Sequence, residues 1–282
     1  MKKLLVLVSS CLIVSVGSLS AQLYVYEGFS TSDFTSGVTV NGLGGGSGWD
    51  GNWSVDATNN PNNPNRYRGS DYSLTFSDTV GNNLVTTSGS LAGHPAGSGV
   101  GGMFRSFENP ISGEVWISFL TVRTADVNWG WQFLFNDAAG ETQFRIQNEG
   151  ANNRFRLNAD GTSALVFNNL DTAEEPVGQF YVVRVTNVGS GEADANITLW
   201  ANPNDLTDLA AGAAASTALN NQTVNSLSQF AFLKDANPTG YFDELRIGGS
   251  FADVAPIPEP RAYALMAGLL GLLLVSLRRR IS

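Results

Sequence analysis

The sequence predicts an all-β protein built from two packed antiparallel sheets. Strand-like segments recur along the chain, turn residues separate them, and long helical patterns are missing. Glycine accounts for 31 of the 282 residues, and Asn, Ser and Thr are also abundant. About twelve such strands in one domain are expected to bury their apolar side chains between two sheets.

The pattern of each segment justifies its assignment as a strand. Glu114–Arg123 is apolar on both faces in its middle, which predicts a central strand covered on both sides. Gly189–Gly191 separates two strands and predicts a hairpin. The alanine-rich stretch Asp205–Leu219 is interpreted as a loop with one helical turn. The predicted strands are Leu23–Phe29, Tyr72–Phe76, Leu84–Thr87, Gly102–Phe107, Glu114–Arg123, Trp129–Asn136, Gln143–Asn148, Arg154–Asn158, Phe180–Val188, Ala195–Ala201, Gln229–Lys234 and Tyr241–Ile247.

Alternation assigns faces to the middle strands. Trp129, Trp131, Phe133 and Phe135 share one face, and such an aromatic stripe at period two indicates a core face rather than a sugar-stacking surface. The following hairpin turns its apolar residues inward in the same way. Those inward residues are Phe144, Ile146, Phe155 and Leu157.

The outward positions of that hairpin form the first candidate site. Three arginines and two glutamines on one face would form a polar platform for a glycan or a carboxylate. The alternative is a solvated strand face with cross-strand pairing to Asp and Glu. The residues concerned are Gln143, Arg145, Gln147, Arg154 and Arg156. Trp49 and Trp53, in a Gly- and Asn-rich loop, are candidate exposed aromatics for glycan contact, or else anchors of that loop.

Other chemistry receives little support from the residues. Cys11 is the only cysteine and His94 the only histidine, which argues against thiolate sites, a Ser-His-Asp triad and a multi-histidine metal site. Calcium is a candidate cofactor without a named ligand, because no D-x-D-x-D-G loop is present. The loop acids considered are Asp126, Asp137, Asp160 and Asp171. A retaining glycosidase needs facing carboxylates, but Glu174 and Glu175 precede a proline, and Asp243 and Glu244 are expected on opposite faces of a strand.

Both ends of the chain resemble targeting segments. Met1–Lys3 is basic, Leu4–Val16 is apolar, and Ser18–Ala21 supplies small residues, which predicts a signal peptide over 1–21. The expected partners there are the Sec translocon and signal peptidase. At the other end, 262–277 is an uncharged apolar segment that rises about 24 Å as a helix, slightly short of a ~30 Å hydrocarbon layer. It is interpreted as a transmembrane helix whose flanking arginines snorkel to the interface.

The C-terminal segment, 256–282, closely resembles the PEP-CTERM tripartite signal of Gram-negative bacteria. The match consists of Pro258-Glu259-Pro260, the apolar run, and Arg278-Arg279-Arg280. The resemblance implies recognition by an exosortase, removal of the tail near the Pro-Glu-Pro, and release of the body to the cell surface or extracellular matrix. The alternative is an ordinary membrane anchor that is never cut.

The body, 22–255, is similar to the concanavalin-like jelly rolls, especially the LamG-like group. Gly240–Ile247 resembles the last strand of that group, which returns beside the first strand. Phe180–Val185 with Ile197–Pro203 resembles its hairpin, and Tyr26–Phe29 with Gly48–Trp53 the start of many exported proteins with this tail. Another β-sandwich or a short β-solenoid is the alternative, although no repeat of about 20–50 residues is present.

Charge and resemblance together define the expected function. Without the terminal segments the chain keeps 10 basic and 24 acidic residues, a net charge of about −14. Nucleic acid is therefore not an expected partner, and divalent cations or neutral sugars suit this charge better than polyanions. We expect a non-enzymatic, exported surface or matrix protein that adheres to extracellular polysaccharide after an inner-membrane intermediate. A secreted glycan-active hydrolase and an uncut membrane-anchored structural protein are the alternatives.

Overall fold

The structure, a computed structural model, describes residues 22–55, 67–93, 101–123, 131–149, 154–167, 178–234 and 240–257. These ranges contain fifteen strands, one 3-10 helix (Leu209–Ala211) and one short helix, α1 (Phe251–Val254). The strands are β1 (Leu23–Glu27), β2 (Trp49–Val55), β3 (Tyr67–Ser70), β4 (Ser90–Gly93), β5 (Gly101–Ile111), β6 (Gly113–Arg123), β7 (Trp131–Asn136), β8 (Thr142–Glu149), β9 (Arg154–Ala159), β10 (Thr162–Phe167), β11 (Gln179–Val188), β12 (Ala195–Pro203), β13 (Ala213–Gln222), β14 (Leu227–Lys234) and β15 (Gly240–Gly248).

The strands form two sheets in which every pair of named strands is antiparallel. Sheet A has the order β13-β12-β11-β6-β15-β4-β3, with β1 also paired to β15, and sheet B has the order β10-β9-β8-β7-β14-β5-β2. The predicted all-β architecture with two antiparallel sheets is confirmed, and it is consistent with a jelly-roll sandwich. The predicted signal helix, 1–21, and transmembrane helix, 262–277, lie outside the described residues. None of the helices within the described ranges has the length and apolar character to span a bilayer.

The core lies between the sheets, and a second apolar cluster covers the outer face of sheet A. β6 contributes to both, since Ile117 and Phe119 enter the first cluster while Leu120 and Val122 enter the second. The prediction of a central strand buried on both faces is therefore confirmed. The aromatic stripe on β7 is also a core face, because Trp131, Phe133 and Phe135 are buried. Trp129 lies outside the described residues.

Two predicted strands are wrong, and the second cluster supplies the physical reason. The predicted segments Tyr72–Phe76 and Leu84–Thr87 belong to none of the named strands; an isolated bridge between Ser77 and Asn83 and a backbone hydrogen bond from Leu84 N–H to the carbonyl of Phe76 connect them. Their apolar residues Leu74, Phe76 and Leu84 instead pack onto sheet A, against Leu120 and Phe180. Alternating apolar residues here mark a covering segment rather than a strand. We call residues 71–89 the covering segment.

The interpretation of Asp205–Leu219 as a loop is wrong over its second half. The 3-10 helix at Leu209–Ala211 confirms the helical turn, and Asp208 caps it by accepting a hydrogen bond from the backbone N–H of Ala210. β13 then begins at Ala213 and forms the edge of sheet A beside β12. Its alanines alternate between exposed and half-buried positions, and small side chains at a sheet edge give almost no hydrophobic period. The sequence also missed β2, β3, β4 and β10.

The last strand, β15, organises sheet A by dividing one of its edges between two partners. One edge pairs with β6, while the other pairs with β4 through Gly240–Phe242 and with β1 through Leu245–Gly248. A bulge falls between Asp243 and Arg246, and Glu244 has a φ of 55° there. This left-handed conformation is rare for a residue with a side chain. The predicted return of the closing strand beside the first strand is confirmed.

Candidate functional site

The outer face of sheet B carries a set of mostly polar side chains in register. Their chain neighbours Phe133, Phe144 and Phe232 point into the core, so alternation places the set on the opposite face. Strand pairing arranges the set in three rows across the sheet, and we call it the platform. The first row is Leu233, Gln132, Gln147 and Arg156; the second is Phe104, Ala231, Leu134, Arg145 and Asn158; the third is Ser106, Gln229 and Asn136.

The platform is not covered by any apolar cluster of the described residues. One such cluster fills the interior and the other the outer face of sheet A, and neither includes a platform residue. Arg145, Gln147 and Asn158 are half-buried. Beside them Leu134 is 9% exposed and Ala231 is 8% exposed, which makes a flat apolar floor. Polar side chains thus surround a small, nearly buried hydrophobic strip, on a face that no apolar cluster of the described residues covers.

Several polar atoms of the platform lack a protein partner. Within the described chain, the side-chain oxygen Oε1 of Gln147 and the nitrogen Nδ2 of Asn158 are buried without a hydrogen bond. Such groups are rare in folded proteins and indicate a water or ligand. Arg145 Nη1 donates to Gln132 Oε1 at a long 3.5 Å. Two of the unsatisfied atoms of the described chain therefore lie beside Arg145, while others, such as Tyr181 Oη and Asp253 Oδ1, lie elsewhere in the sandwich.

Gln143 lies at the start of β8, and its side chain is bound to the neighbouring turns. It is 8% exposed, and its Nε2 donates to Asp137 Oδ2 at 2.9 Å and to the carbonyl of Glu141 at 3.0 Å. Its Oε1 accepts from the backbone N–H of Asn225 at 2.8 Å. A register shift between β7 and β8 lies beside it, between Phe135 and Asn136. Gln143 borders a cleft of about 250 Å³ beside Arg145 and Asn158, but its polar atoms are already used.

Trp49 and Trp53 lie on β2, where the sequence predicts a loop, and they anchor this segment to the sandwich. Trp53 is 1% exposed, and its Nε1 donates to Glu27 Oε2 at 3.1 Å. Trp49 is half-buried and donates from Nε1 to the carbonyl of Tyr26 at 3.0 Å. The two ring centroids lie 5.2 Å apart. The proposed glycan contact of Trp53 is incompatible with this burial, so the loop-anchor alternative describes both residues.

A buried ion pair joins the two sheets beneath these tryptophans. Glu27 of β1 accepts from Arg105 Nη1 of β5 at 2.9 Å, and the side chains are 1% and 7% exposed. Arg105 also donates from Nε to the carbonyl of Gly51 and lies 5.0 Å from the Trp49 ring centroid. Burial raises the pKa of Glu27 to about 7, against the lowering effect of Trp53 and Arg105. Sequence reasoning missed this pair, although Glu27 shares a strand face with Val25.

A second buried polar cluster fastens the covering segment to the bulge of β15. Glu244 Oε1 accepts from the backbone N–H of Thr87 at 2.5 Å, and Glu244 Oε2 from Arg246 Nη2 at 2.5 Å. Tyr26 donates to the same carboxylate at 3.3 Å, and burial raises the pKa of Tyr26. Neighbouring Asp243 is fully enclosed, and burial raises its pKa well above the usual value. Both carboxylates are thus inside the protein, where no substrate reaches them.

Several sequence-predicted residues lie outside the described parts of the chain. The side chain of Arg154 is among them, together with Pro258, Glu259, Pro260, Arg278, Arg279, Arg280, His94, Asp126, Asp171, Glu174 and Glu175. Among the described residues, no three His, Cys, Asp or Glu side chains form a group suited to a metal ion. Calcium accordingly stays a prediction.

Fold and site define the described chain as a two-sheet antiparallel β-sandwich with one polar sheet face that its apolar clusters leave uncovered. No protein-family model and no curated protein matches it. Among solved structures, an endo-β-1,4-glucuronan lyase from the fungus Trichoderma reesei has 16% identity and a TM-score of 0.43, covering 74% of this chain and 94% of the lyase. The T. cruzi calreticulin globular domain has 10% identity and a TM-score of 0.47, with coverage of 81% and 88%. The Ca²⁺-bound VIP36 exoplasmic/lumenal domain has 10% identity and a TM-score of 0.41, with coverage of 68% and 88%. Similarity at this level carries no functional assignment.

Proposed function

We propose that the protein is exported and associates with extracellular polysaccharide through the platform. The observation that carries this proposal is a pair of buried, unpartnered polar atoms, Gln147 Oε1 and Asn158 Nδ2, beside Arg145 on the platform. An amide or guanidinium held by neighbouring strands is pre-organised to bond a ligand, which reduces the entropy lost on binding. Gln147 and Asn158 are half-buried as residues, so a sugar that displaces the side chains over these atoms supplies the donors and acceptors that they lack.

The apolar floor supports the same choice of ligand. Leu134 and Ala231 lie in the second row next to Arg145, where the face of a sugar ring finds a flat surface while its hydroxyls reach the flanking amides. Binding sites of this kind combine apolar contact with a few placed polar groups. A polymer that crosses several strands fits a flat face better than a small molecule does, since small molecules prefer concave pockets.

The platform favours binding over hydrolysis. A retaining glycosidase requires two carboxylates about 5 Å apart across the substrate, and none of the platform residues is Asp or Glu. The proposal of export rests on the sequence of the two terminal segments. An exosortase-processed tail and a Sec signal peptide are the mechanism we propose for delivery to the cell surface or matrix.

Removing the unpartnered amides is expected to weaken polysaccharide binding. We predict that Gln147→Ala combined with Asn158→Ala raises the Kd for a bound polysaccharide about tenfold, because two hydrogen-bonding groups are lost. The full-length protein in detergent is tested against a panel of extracellular polysaccharides by affinity electrophoresis. Asn220→Ala, at an exposed position on β13, is the matched control and leaves Kd unchanged.

The same panel of polysaccharides distinguishes non-enzymatic binding from the absence of binding and from hydrolysis. If no polysaccharide retards the protein, the proposed association is wrong. If reducing ends accumulate during incubation, the secreted hydrolase is the correct alternative. Equal Kd values for the platform variant and the Asn220→Ala control place binding elsewhere on the surface.

Processing of both ends is expected in the native host. We predict that the intact mass of the surface-fraction protein corresponds to a chain that starts near residue 22 and ends near Pro258–Pro260. Signal peptidase and an exosortase remove the two apolar segments in this scheme. Mass spectrometry checks the prediction, with the inner-membrane fraction as the control for the uncut intermediate. Persistence of 262–282 in the surface fraction indicates the uncut anchor instead.

A further inference from the structure

We infer that the platform binds an acidic polysaccharide, one that carries a carboxylate on its sugar units. This inference rests on the proposed function and specifies its ligand. Its basis is an arginine that the described fold leaves without an acidic partner, on the same face as the unpartnered amides. These residues lie on β7, β8 and β9, and the pairing register of these three strands determines which side chains are neighbours.

Three other arginines of the described chain are neutralised. Arg105, Arg184 and Arg246 each pair with a glutamate, at N–O distances of 2.9, 2.7 and 2.5 Å. Arg145 differs from these three, because its side chain donates to the amide oxygen of Gln132 at 3.5 Å and the described residues supply it with no carboxylate. With 25 acidic against 16 basic residues in the whole chain, an arginine without an acid is not explained by a shortage of acids.

The neighbours of Arg145 are neutral on both sides. Leu134 of β7 and Asn158 of β9 lie directly opposite it in register. Arg156 is its diagonal neighbour, one row away, at a spacing of about 7 to 8 Å between Cα atoms for such positions. The second row therefore presents a guanidinium between an apolar floor and an amide. A guanidinium offers a planar fork of donors that matches a carboxylate.

The charge of the platform itself, rather than the net charge of the protein, determines which charge a ligand can carry at this face. The sequence predicts neutral sugars or cations from a mature net charge of about −14, but exposed charges farther away than about 8–10 Å are largely screened at physiological ionic strength. The platform residues include two arginines and no acid, although exposed Asp50 of β2 pairs with Ser106 at the far end of the third row, four strands away from β8. An anionic ligand at this face thus interacts mainly with Arg145 and its neighbours.

The platform carries few positively charged side chains. This favours a polysaccharide with one carboxylate per sugar over a more heavily charged polymer. Polymers that bear several sulfates per sugar need a dense basic cluster to neutralise them, whereas one or two guanidiniums suit a single carboxylate per sugar. The amides of Gln147 and Asn158 then bond the remaining hydroxyls. Polygalacturonate is a suitable probe, because methyl esterification removes its charge and keeps its backbone.

The experiment measures binding of the full-length protein in detergent to polygalacturonate, its methyl ester, dextran sulfate and dextran. We expect polygalacturonate to bind at least about tenfold more tightly than its ester, and Arg145→Gln to remove most of that difference. Arg145→Lys keeps the positive charge but loses the planar fork of donors. Its preference for polygalacturonate over the ester is expected to lie between those of the wild type and Arg145→Gln. Arg184→Gln is the matched control, since it removes an identical charge from a half-exposed position on sheet A. Circular dichroism confirms that the variants are folded.

The results distinguish this inference from the proposed function on which it rests. Equal affinity for polygalacturonate and its ester overturns the inference, and so do equal losses of polygalacturonate affinity in Arg145→Gln and Arg184→Gln. Neither result contradicts the proposed binding of polysaccharide. Dextran sulfate bound as tightly as polygalacturonate overturns the choice of carboxylate. Failure to bind any of the probes or any polysaccharide of the panel overturns both.

Discussion

Replacing Phe242 with alanine is expected to lower the free energy of unfolding by about 3 to 5 kcal/mol, the range for a large aromatic removed from a packed core. Phe242 lies on β15 and is fully buried. Its ring contacts aromatic rings from both sheets, so the cavity left behind is walled on all sides. The neighbours, with centroid distances, are Phe133 (5.1 Å), Phe232 (5.5 Å), Phe119 (5.7 Å), Phe29 (5.8 Å) and Phe230 (5.9 Å).

Urea denaturation followed by tryptophan fluorescence measures this loss. Phe104→Ala is the matched control, because Phe104 is 37% exposed on the open face of sheet B and its removal leaves no enclosed cavity. We expect it to cost less than about 1 kcal/mol, as is usual for surface substitutions. Comparable losses for the two variants would show that Phe242 is not central to the packing between the sheets.

Replacing Arg105 with methionine is expected to cost about 3 to 5 kcal/mol at pH 8, because it leaves the carboxylate of Glu27 buried without a counter-charge. Methionine keeps a similar length of apolar side chain, so the change removes charge and donors more than volume. The lost contacts include the 2.9 Å ion pair and the hydrogen bonds to the carbonyls of Gly45 and Gly51. Chemical denaturation gives the loss directly.

The penalty of Arg105→Met is expected to shrink as the pH falls from 8 to about 7. The pKa of Glu27 is already about 7 in the folded protein, against 4.5 for an ordinary glutamate, and loss of Arg105 raises it further. Above pH 7 the folded variant therefore holds a proton that both the folded wild type and the unfolded chain have lost, so acidification towards pH 7 stabilises the variant relative to the wild type. Below about pH 7 both folded proteins hold this proton, and the penalty no longer changes. Glu27→Gln combined with Arg105→Met removes the titrating group and is expected to abolish the stabilisation of the variant between pH 8 and 7. A penalty that stays constant over that interval would contradict the assignment to a buried charge.

The sequence predicted strands and their faces correctly where a period-two apolar pattern coincides with a strand that is hydrogen-bonded into a sheet. The double-sided apolar run of β6, the aromatic stripe of β7 and the outward arginines of β8 and β9 all follow from period-two alternation. Alternation also located most of the platform, since it separates Arg145 and Gln147 from Phe144 and Ile146. The failures occurred where small or polar residues form the strand, as in β13, or where apolar residues cover a sheet, as in the covering segment.

Long-range pairing is the other limit of prediction from sequence. Glu27 and Arg105 are separated by 78 positions, and nothing in the local pattern of either strand selects its partner. The unpartnered state of Gln147 and Asn158 is likewise a property of the assembled sheet, because it depends on which residues three neighbouring strands bring alongside. The residue types in the sequence were enough to predict a polar surface. Identifying which of its donors and acceptors lack a partner required knowledge of the strand register.

The position of β15 has a consequence for biogenesis. This strand is made last among those described, yet it lies inside sheet A, between β6 on one edge and β4 and β1 on the other. Ribosomal synthesis must reach about residue 248 before the sheet can be completed, and contacts that close so many intervening residues form slowly. Sheet A of the nascent polypeptide thus stays incomplete until almost all of the described strands have been synthesised.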